Sequence, residues 1–531
     1  MTDEYVNMIA IPQAVGLEPE AQDQLRRLYE VWTSKLGRNQ LRKKYYRGKN
    51  VLKDLGIAIP PQLKKTDMVL GWSAKSVDML ASRSLFDGFV YQDSETGGIE
   101  DILRQNNFNM MYRQAVKSEL IHSCAFITVS KGGAGEPEVI ISAYSAEFAA
   151  AIWDMRRKRI ECGFTVVDVD KDTKMPTWIN LYNDEAVYEI KKTGSAWVAN
   201  KLPHSQGRPL MEPLVYSPEL DRPMGKSRIS RAVMSIVDSG VRASLRAEVS
   251  AEFFTTPQRY LLGADEAIFK DKSKWEAYIG NIFAVTPNPE TGENPQYGQL
   301  AQMSMQPHVD YLRSLAAQFA GETGIPISSL GVIHDNPASA EAIYAAREDL
   351  IVEAESLNGT NGVALRNIGL LIHAIKNNTT VDELSEAEKS IMPKFRNPSM
   401  PSVVSQSDAI IKQCSVIPYL AQTEVALEEL GYNESQRMRL LAEKRRIEAK
   451  TTLQELSAQP EPQEGQKKTM YMEQSIIKSY RNGKINYKDA IRLFVQLGID
   501  EEEAAEILED ENTNTSDGKE PTNKPTGQGE L

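Results

Sequence analysis

Cysteine is scarce in this 531-residue sequence, which contains only Cys124, Cys162 and Cys414. Three widely separated cysteines provide neither a disulfide framework nor the spacing of a metal site. The five histidines form no H-E-x-x-H pattern, and both G-x-S-x-G and G-x-G-x-x-G are missing. The sequence therefore predicts no catalytic residues, no metal site and no cofactor, and an enzyme is not expected.

Long apolar runs and excess positive charge are missing as well. No uncharged apolar run approaches the roughly 20 residues that cross a bilayer. The N-terminal MTDEYVNMIAIPQ carries acids where a signal peptide carries bases. These features predict a protein made in the cytoplasm without a membrane partner. The net charge of −12 argues against a general affinity for nucleic-acid phosphates.

The patterns that are present predict an α+β chain that is mainly helical, with about three or four domains. Helices are expected over much of 1–60 and over 66–86 and 100–122, followed by a strand at 124–130. Short strands with regular turns predict an antiparallel meander at about 138–200. Four prolines predict an extended, irregular segment at 207–225.

The second half of the chain alternates helices with a small strand-rich insert. Helices are predicted at about 227–254, 307–322 and 337–376, and NGTNG at 358–362 is a possible bend in the last of these. The insert between the first two contains three predicted strands: QRYLLG, NIFAVTP and YGQLAQM. Helices return at about 402–450. Composition then predicts a linker at 457–469, a small helical unit at 470–510 and a disordered tail at 511–531.

Two segments suggest nucleotide or nucleic-acid binding. Gly225, Lys226 and Ser227 resemble the end of a phosphate-binding loop, but Leu220 stands where that loop requires its first glycine. A helix start is the simpler interpretation. The basic, aromatic LRKKYYRGK at 41–49 is compatible with binding of single strands or with a charged helix anchored by its tyrosines. The DMRRKRI segment at 154–160 is read as a solvated hairpin tip.

Several stretches together resemble the portal proteins of tailed double-stranded-DNA bacteriophages, especially those with long, non-contractile tails. The resemblance covers roughly residues 25–450. It is carried, in order, by YYRGKN (45–50), GWSAKSVDMLASRSLFDGF (71–89), ILRQNNFN, AVKSELIHSCAFITV, PLVYSPELDRPMGKSRIS (213–230), TGIPISSLG and NPASAEAI. Ser84, before Leu85, departs from the family's helix pattern. The resemblance also offers a structural reason for the false phosphate-loop signal.

The resemblance implies a ring, commonly of twelve subunits, around a DNA channel. It divides the chain into a wing (1–226), stem helices (227–254 and 307–322), a clip (255–306), a tunnel loop (323–337), a long helix returning to the wing (338–400) and a crown (401–456). Channel-lining residues would lie in the tunnel loop and the helix after it: Ser328, Ser329, Leu330, Val332, Ile333, His334, Asp335, Asn336 and Ala340. Small side chains there would keep a narrow aperture open.

Charge fits a channel of this kind. Twelve chains would carry 12 × −12 = −144 charges, so duplex DNA would slide rather than bind. A basic face of the stem would temper the repulsion or form ion pairs between subunits. Its predicted members are Arg228, Arg231, Arg242 and Arg246.

The expected function is therefore a structural, DNA-conducting ring at one capsid vertex of the virion. The resemblance implies that such a ring nucleates procapsid assembly, docks terminase for packaging, and joins the head to the tail for DNA retention and ejection. The implied partners are further copies of the chain, double-stranded DNA, the large terminase subunit, head–tail adaptors, and the major capsid and scaffolding proteins. Two alternatives remain open: a nucleic-acid-processing enzyme with a degenerate nucleotide site, or a scaffold or adaptor that forms no ring.

Overall fold

The computed structural model describes most of the chain. The described residues are 13–50, 68–92, 98–254, 259–262, 292, 294, 296–299, 304–331, 347–399, 403–432, 434–458, 464–481 and 485–513. They divide into two compact units, Met1–Met400 and Pro401–Leu531. The described helices and strands are those of an α+β, mainly helical chain, as expected.

The first unit begins with a short strand and four helices. They are β1 (Ala14–Val15), α1 (Pro19–Tyr46), α2 (Trp72–Ala81), α3 (Ile99–Gln105) and α4 (Phe108–His122), with β2 (Phe86–Val90) between α2 and α3. The helix expected at 66–86 is therefore shorter and is followed by a strand. The helix expected at 100–122 is broken at Asn107, whose backbone is left-handed (φ 50°), so α3 and α4 are separate elements.

Two sheets follow α4. The smaller has the order β10-β3-β4 and the larger β1-β9-β8-β7-β6-β5. Their strands are β3 (Cys124–Lys131), β4 (Val139–Ser145), β5 (Ala149–Asp154), β6 (Arg159–Val169), β7 (Pro176–Tyr182), β8 (Ala186–Thr193), β9 (Ala196–Pro203) and β10 (Met211–Val215). The meander is confirmed for β5–β9, whereas β4 pairs with β3. The proline-rich segment is extended as expected, and part of it forms β10 at a sheet edge, where Pro213 costs no ladder hydrogen bond.

Two helices and a strand pair come next in the chain. They are α5 (Arg231–Phe254), β11 (Arg259–Leu262), β12 (Gln296–Gln299) and α6 (Gln306–Thr323). Strands β11 and β12 pair antiparallel; the expected strand NIFAVTP lies outside the described residues. Helix α5 begins at Arg231 rather than near residue 227. Helices α5 and α6 pack on each other.

The unit ends with a long helix. Helix α7 (Glu348–Lys376) is followed by β13 (Met392–Phe395), which pairs with β2. The NGTNG segment does not interrupt α7, because Asn358 and Asn361 are buried in its packed face. The start predicted for this helix, before residue 347, lies outside the described residues.

The main core joins the first helices, the small sheet and α5–α7, and includes the fully buried Phe108, Tyr112, Phe126 and Phe319. A second core lies between α1 and the large sheet, where the Tyr29 and Phe164 rings stack at 5.5 Å. Because α1 contributes to both cores, it fixes the large sheet against the rest of the unit.

The second unit is helical wherever it is described. Its helices are α8 (Val403–Val416), α9 (Glu424–Glu429), α10 (Glu434–Ala458), α11 (Glu464–Arg481), α12 (Tyr487–Gln496) and α13 (Glu501–Thr513). Helices extend into the segments predicted as linker (457–469) and tail (511–531), so both boundaries were wrong; 459–463 and 514–531 lie outside the described residues. The last three helices share a small core that includes Ala490, Phe494, Ala504 and Leu508.

Candidate channel-wall junction

A buried arginine joins the elements around the predicted channel segment. Arg228 lies three residues before α5 and its side chain is only 3% exposed. Its Nε donates to the Ser76 carbonyl of α2 at 2.8 Å, and its Nη2 donates to the Thr323 carbonyl at 2.6 Å. Its Nη1 donates to the Tyr216 hydroxyl at 3.1 Å and pairs with the Glu353 carboxylate. A buried guanidinium requires partners of this kind to offset desolvation.

The partners of Arg228 explain why this geometry matters. Thr323 ends α6 and is the first residue of the predicted tunnel loop (323–337), whereas Glu353 lies in the second turn of α7, after that loop. One guanidinium therefore holds both sides of the segment 324–347. Tyr216 also donates to Glu353, and burial raises the pKa of this tyrosine, so it stays a neutral donor.

The loop leading into α5 is fixed by its backbone. Gly225 has φ +65°, and a Cβ added there would lie 2.2 Å from the Tyr216 carbonyl oxygen. The Ser227 hydroxyl donates to the Ile121 carbonyl at 2.5 Å. Lys226 donates its backbone N–H to the Tyr216 carbonyl. Gly225 and Ser227 are therefore committed to packing, whereas the Lys226 side chain is exposed, and the Ser227 hydroxyl already donates within the chain.

Helices α5 and α6 present one packed face each. Val233, Val237 and Val241 recur every four residues along α5 and are buried. On α6, Phe319 is fully buried and its ring lies 5.5 Å from that of Trp72. Ser230, just before α5, donates to Glu322 at 3.0 Å, near the end of α6. The pair of helices is thereby fixed at the end that meets the junction.

The predicted basic face is only partly assembled. Arg228 precedes the helix and is buried, so it does not belong to that face. Arg231 is exposed, and Arg242 and Arg246 are half-buried on α5. None of these three has an ion-pair partner in the described part of the chain, and the Arg242 Nη2 donates to the Ser239 hydroxyl at 2.9 Å.

The predicted channel residues are only partly described. A 3-10 turn, Ile327–Leu330, contains Ser328, Ser329 and Leu330. Ser328 is exposed, whereas Leu330 is half-buried and packs against the main core. Gly331 closes the turn with φ 82°. The remaining predicted channel residues lie outside the described residues: Val332, Ile333, His334, Asp335, Asn336 and Ala340.

The basic, aromatic segment is anchored by its tyrosines. The Tyr45 hydroxyl donates to Asp238 of α5 at 2.9 Å and the Tyr46 hydroxyl to Asp78 of α2 at 3.0 Å. Tyr45 is buried in the main core. This confirms the structural interpretation of the segment and leaves no tyrosine platform there for stacking on bases.

A cationic cavity of about 460 Å³ is lined in part by residues 222–226 of the loop that leads into α5. Its lining includes the apolar side chains of Trp32, Phe126 and Met224. Its basic side chains come from one face of α1 and from the loop before α5: Lys35, Arg38, Arg42, Arg222 and Lys226. No carboxylate belongs to the described residues that line it. This cavity was not predicted from the sequence. The available signal was the spacing of 3 and 4 residues between the three bases of α1, which places them on one helix face.

The described residues contain neither a metal-ion cluster nor a membrane-spanning helix. No group of three or more His, Cys, Asp or Glu side chains there is placed to hold a metal ion. No helix in that part of the chain is long and apolar enough to cross a membrane.

Comparison with known proteins gives the family of this chain. The family described as "Phage portal protein, SPP1 Gp6-like" matches residues 25–447. The chain belongs to this family. It is thus a phage portal protein, a structural component of the virion rather than an enzyme, and the resemblance found in the sequence is confirmed.

Individual relatives are distant. The portal proteins of Mycobacterium phages L5 and D29 are each 25% identical over 407 residues, which cover 74% of this chain and 82% of theirs. Among solved structures, a chain from the virion of a native gene transfer agent particle aligns with a TM-score of 0.40 and 12% identity, covering 68% of this chain and 89% of that one. A chain from the neck of the native particle, computed with C12 symmetry, aligns with a TM-score of 0.38 and 11% identity. This alignment covers 76% of this chain and 98% of that one.

Proposed function

We propose that about twelve copies of this chain close into a ring around a DNA channel at one capsid vertex. The ring nucleates procapsid assembly and docks terminase while DNA enters. It then joins the head to the tail, retains the DNA and releases it. In this assignment α5 and α6 form the stem, residues 255–306 the clip that meets terminase and adaptors, and 401–456 the crown.

The observation that carries the proposal is the Arg228 junction. A channel constriction must keep its position while a duplex passes, so both ends of the constricting segment need rigid supports. Arg228 binds the last residue of α6 and the second turn of α7, and these two sites flank the segment 324–347. The stem, the channel segment and the wing are thereby connected through one buried group.

The charge distribution supports conduction rather than binding. The chain carries −12, and a ring of such chains would repel phosphates over most of its surface. A strongly basic bore would release many counterions on binding and hold the DNA. The exposed Arg231 and the half-buried Arg242 and Arg246 are few enough to lower the repulsion along α5 without arresting the duplex.

The channel assignment is tested by enlarging one residue of the segment. Ala340→Trp would place an indole at the aperture once for every copy in the ring. We expect a large loss of DNA-filled capsids in a packaging assay, because bulk added on all copies closes the hole. Ala340→Ser is the matched control and should package normally.

The outcome separates the channel assignment from its alternatives. Normal packaging by Ala340→Trp, with intact rings, would contradict the placement of this segment at the aperture. Loss of both rings and packaging would instead assign Ala340 to subunit contacts. ATP hydrolysis by the purified protein would favour a nucleic-acid-processing enzyme, which the commitment of Ser227 to packing already disfavours.

A further inference from the structure

Five bases line the cationic cavity beside the loop 222–226, and in the described part of the chain only Glu219 forms ion pairs with any of them. Lys35 and Arg38 have no ion-pair partner in the described part of the chain. The Arg42 Nη1 donates to the His122 carbonyl at 3.1 Å, and the Arg42 Nε is buried without a hydrogen-bond partner among the described residues. Arg222 and Lys226 both pair with Glu219, at 3.9 and 3.4 Å. Like charges gathered in this way repel one another unless an anion lies between them.

A second feature of the cavity also indicates a missing partner. His122 lines it, is 3% exposed, and has an Nδ1 with no hydrogen-bond partner among the described residues. Burial, together with Lys43 and Arg42, lowers the pKa of His122 to about 3. Burial and the neighbouring Arg38 likewise lower the pKa of Arg42 to about 10. Burial is the largest cause of both pKa shifts and the neighbouring positive charges add to it, although the Glu147 carboxylate lies 3.7 Å from the His122 Nε2.

The apolar part of the lining restricts the kind of anion. Its exposed surface comes mainly from the half-buried Met224, since Trp32 and Phe126 are 5% and 2% exposed. A bare phosphate would leave this surface against water, whereas an acidic peptide segment with an apolar side chain would cover it. A DNA phosphate held by five bases would also arrest the duplex that the ring is proposed to conduct.

The chain itself carries a surface with the complementary chemistry. The first turns of α7 expose Glu348, Asp349 and Glu355, together with Val352, which is 58% exposed. None of these three carboxylates has an ion-pair partner in the described part of the chain. Glu348 and Asp349 also favour the start of a helix, but that role accounts for neither Glu355 nor the exposed valine. We call these four residues the acidic face of α7.

We propose that the cationic cavity of one copy receives the acidic face of α7 of the next copy in the ring. This inference rests on the proposed ring. A closed ring needs two different, complementary patches on each subunit, and a lining of bases and apolar side chains matches one valine among three carboxylates. The charge balance agrees: with the five cavity bases removed, the rest of the chain carries −12 − 5 = −17.

The test is a charge swap measured by analytical ultracentrifugation. The double variant Lys35→Glu and Arg38→Glu should raise the protein concentration needed for ring assembly at least about tenfold. Glu348→Lys and Glu355→Lys should have a similar effect. When all four changes are combined, ring assembly should recover. The control is Lys171→Glu with Lys192→Glu, two exposed bases of the large sheet, which should leave assembly unchanged.

Each outcome has a defined meaning. Unimpaired rings in the Lys35 and Arg38 variant, or no recovery in the combined variant, would overturn this pairing while leaving the proposed ring intact. A wild-type protein that never forms rings would overturn both proposals. The Lys35 and Arg38 double variant could instead assemble normally but lose stabilisation by inorganic phosphate or binding to a short duplex. That result would make the cavity an oxyanion site and contradict the inference.

Discussion

Arg228 and Arg38 show two opposite ways in which this chain treats an arginine. Arg228 is buried and its guanidinium donates to two backbone carbonyls, a hydroxyl and a carboxylate of its own chain. Arg38 lies at a cavity among four other bases and has no ion-pair partner in the described part of the chain. A buried charge with partners in its own chain fixes elements within one subunit. A cluster of bases with few such partners marks a surface that binds an acidic partner.

The largest effect is expected at the satisfied arginine. Arg228→Met should lower the free energy of unfolding of the first unit by about 3–5 kcal/mol, because Glu353 loses its buried partner and two carbonyls lose their donors. All six tryptophans lie in this unit, so urea unfolding followed by tryptophan fluorescence reports on it alone.

Arg231→Met is the matched control, since Arg231 is exposed and lies three residues away. It should change the free energy of unfolding by less than about 0.5 kcal/mol. Equal effects of the two variants would contradict the distinction between a junction arginine and a surface arginine.

A second effect, dependent on pH, is expected at the edge of the cavity. The pKa of His122 falls from 6.5 to about 3 on folding, so the unfolded chain binds the proton more readily. Above pH 6.5 His122 is neutral in both the folded and the unfolded chain and does not lower the free energy of unfolding. As the pH falls from 6.5 towards 3, protonation of His122 in the unfolded chain lowers that free energy. His122→Gln should abolish a loss of about 2–4 kcal/mol between these values.

The measurement is urea unfolding of the unassembled protein at pH 7 and at pH 4. The half-buried His308 on α6, changed to Gln, is the control. If His122→Gln loses as much stability on acidification as the wild type, the assignment of His122 as a buried neutral group is wrong.

The smallest effect is expected at the unsatisfied arginine. Arg38→Met should change the stability of the unassembled subunit by no more than about 0.5 kcal/mol, and a slight gain is expected because repulsion on Arg42 is relieved. The same urea experiment measures it. A loss comparable to that of Arg228→Met would show that Arg38 has a structural role within the subunit and would remove the contrast between the two arginines.

The sequence predicted the regular elements well because their signals are local. Alternation and turn residues identify β5–β9, and the helix predicted at about 227–254 corresponds to α5. The boundaries failed where tertiary contacts decide: Asn107 takes a left-handed backbone that ends α3, and buried Asn358 and Asn361 keep α7 continuous. Composition alone suggested a linker where α11 begins.

The Arg228 junction and the cationic cavity could not be predicted from local sequence patterns, because their residues are far apart along the chain. The partners of Arg228 are 152, 12, 95 and 125 residues away, so spacing along α5 assigned it to the wrong surface. Lys35, Arg38 and Arg42 share a helix face, but only the fold brings Arg222 and Lys226 beside them. The identity of the family, in contrast, was visible in the order of the motifs.

Closure of this chain into a ring is the central claim, and native mass spectrometry of the purified full-length protein tests it most directly. The account predicts one dominant species of about 712 kDa, twelve times the chain mass of 59.3 kDa, or a neighbouring multiple consistent with a closed ring. Only the 59.3 kDa monomer or its dimer, at every concentration and salt condition, would contradict it.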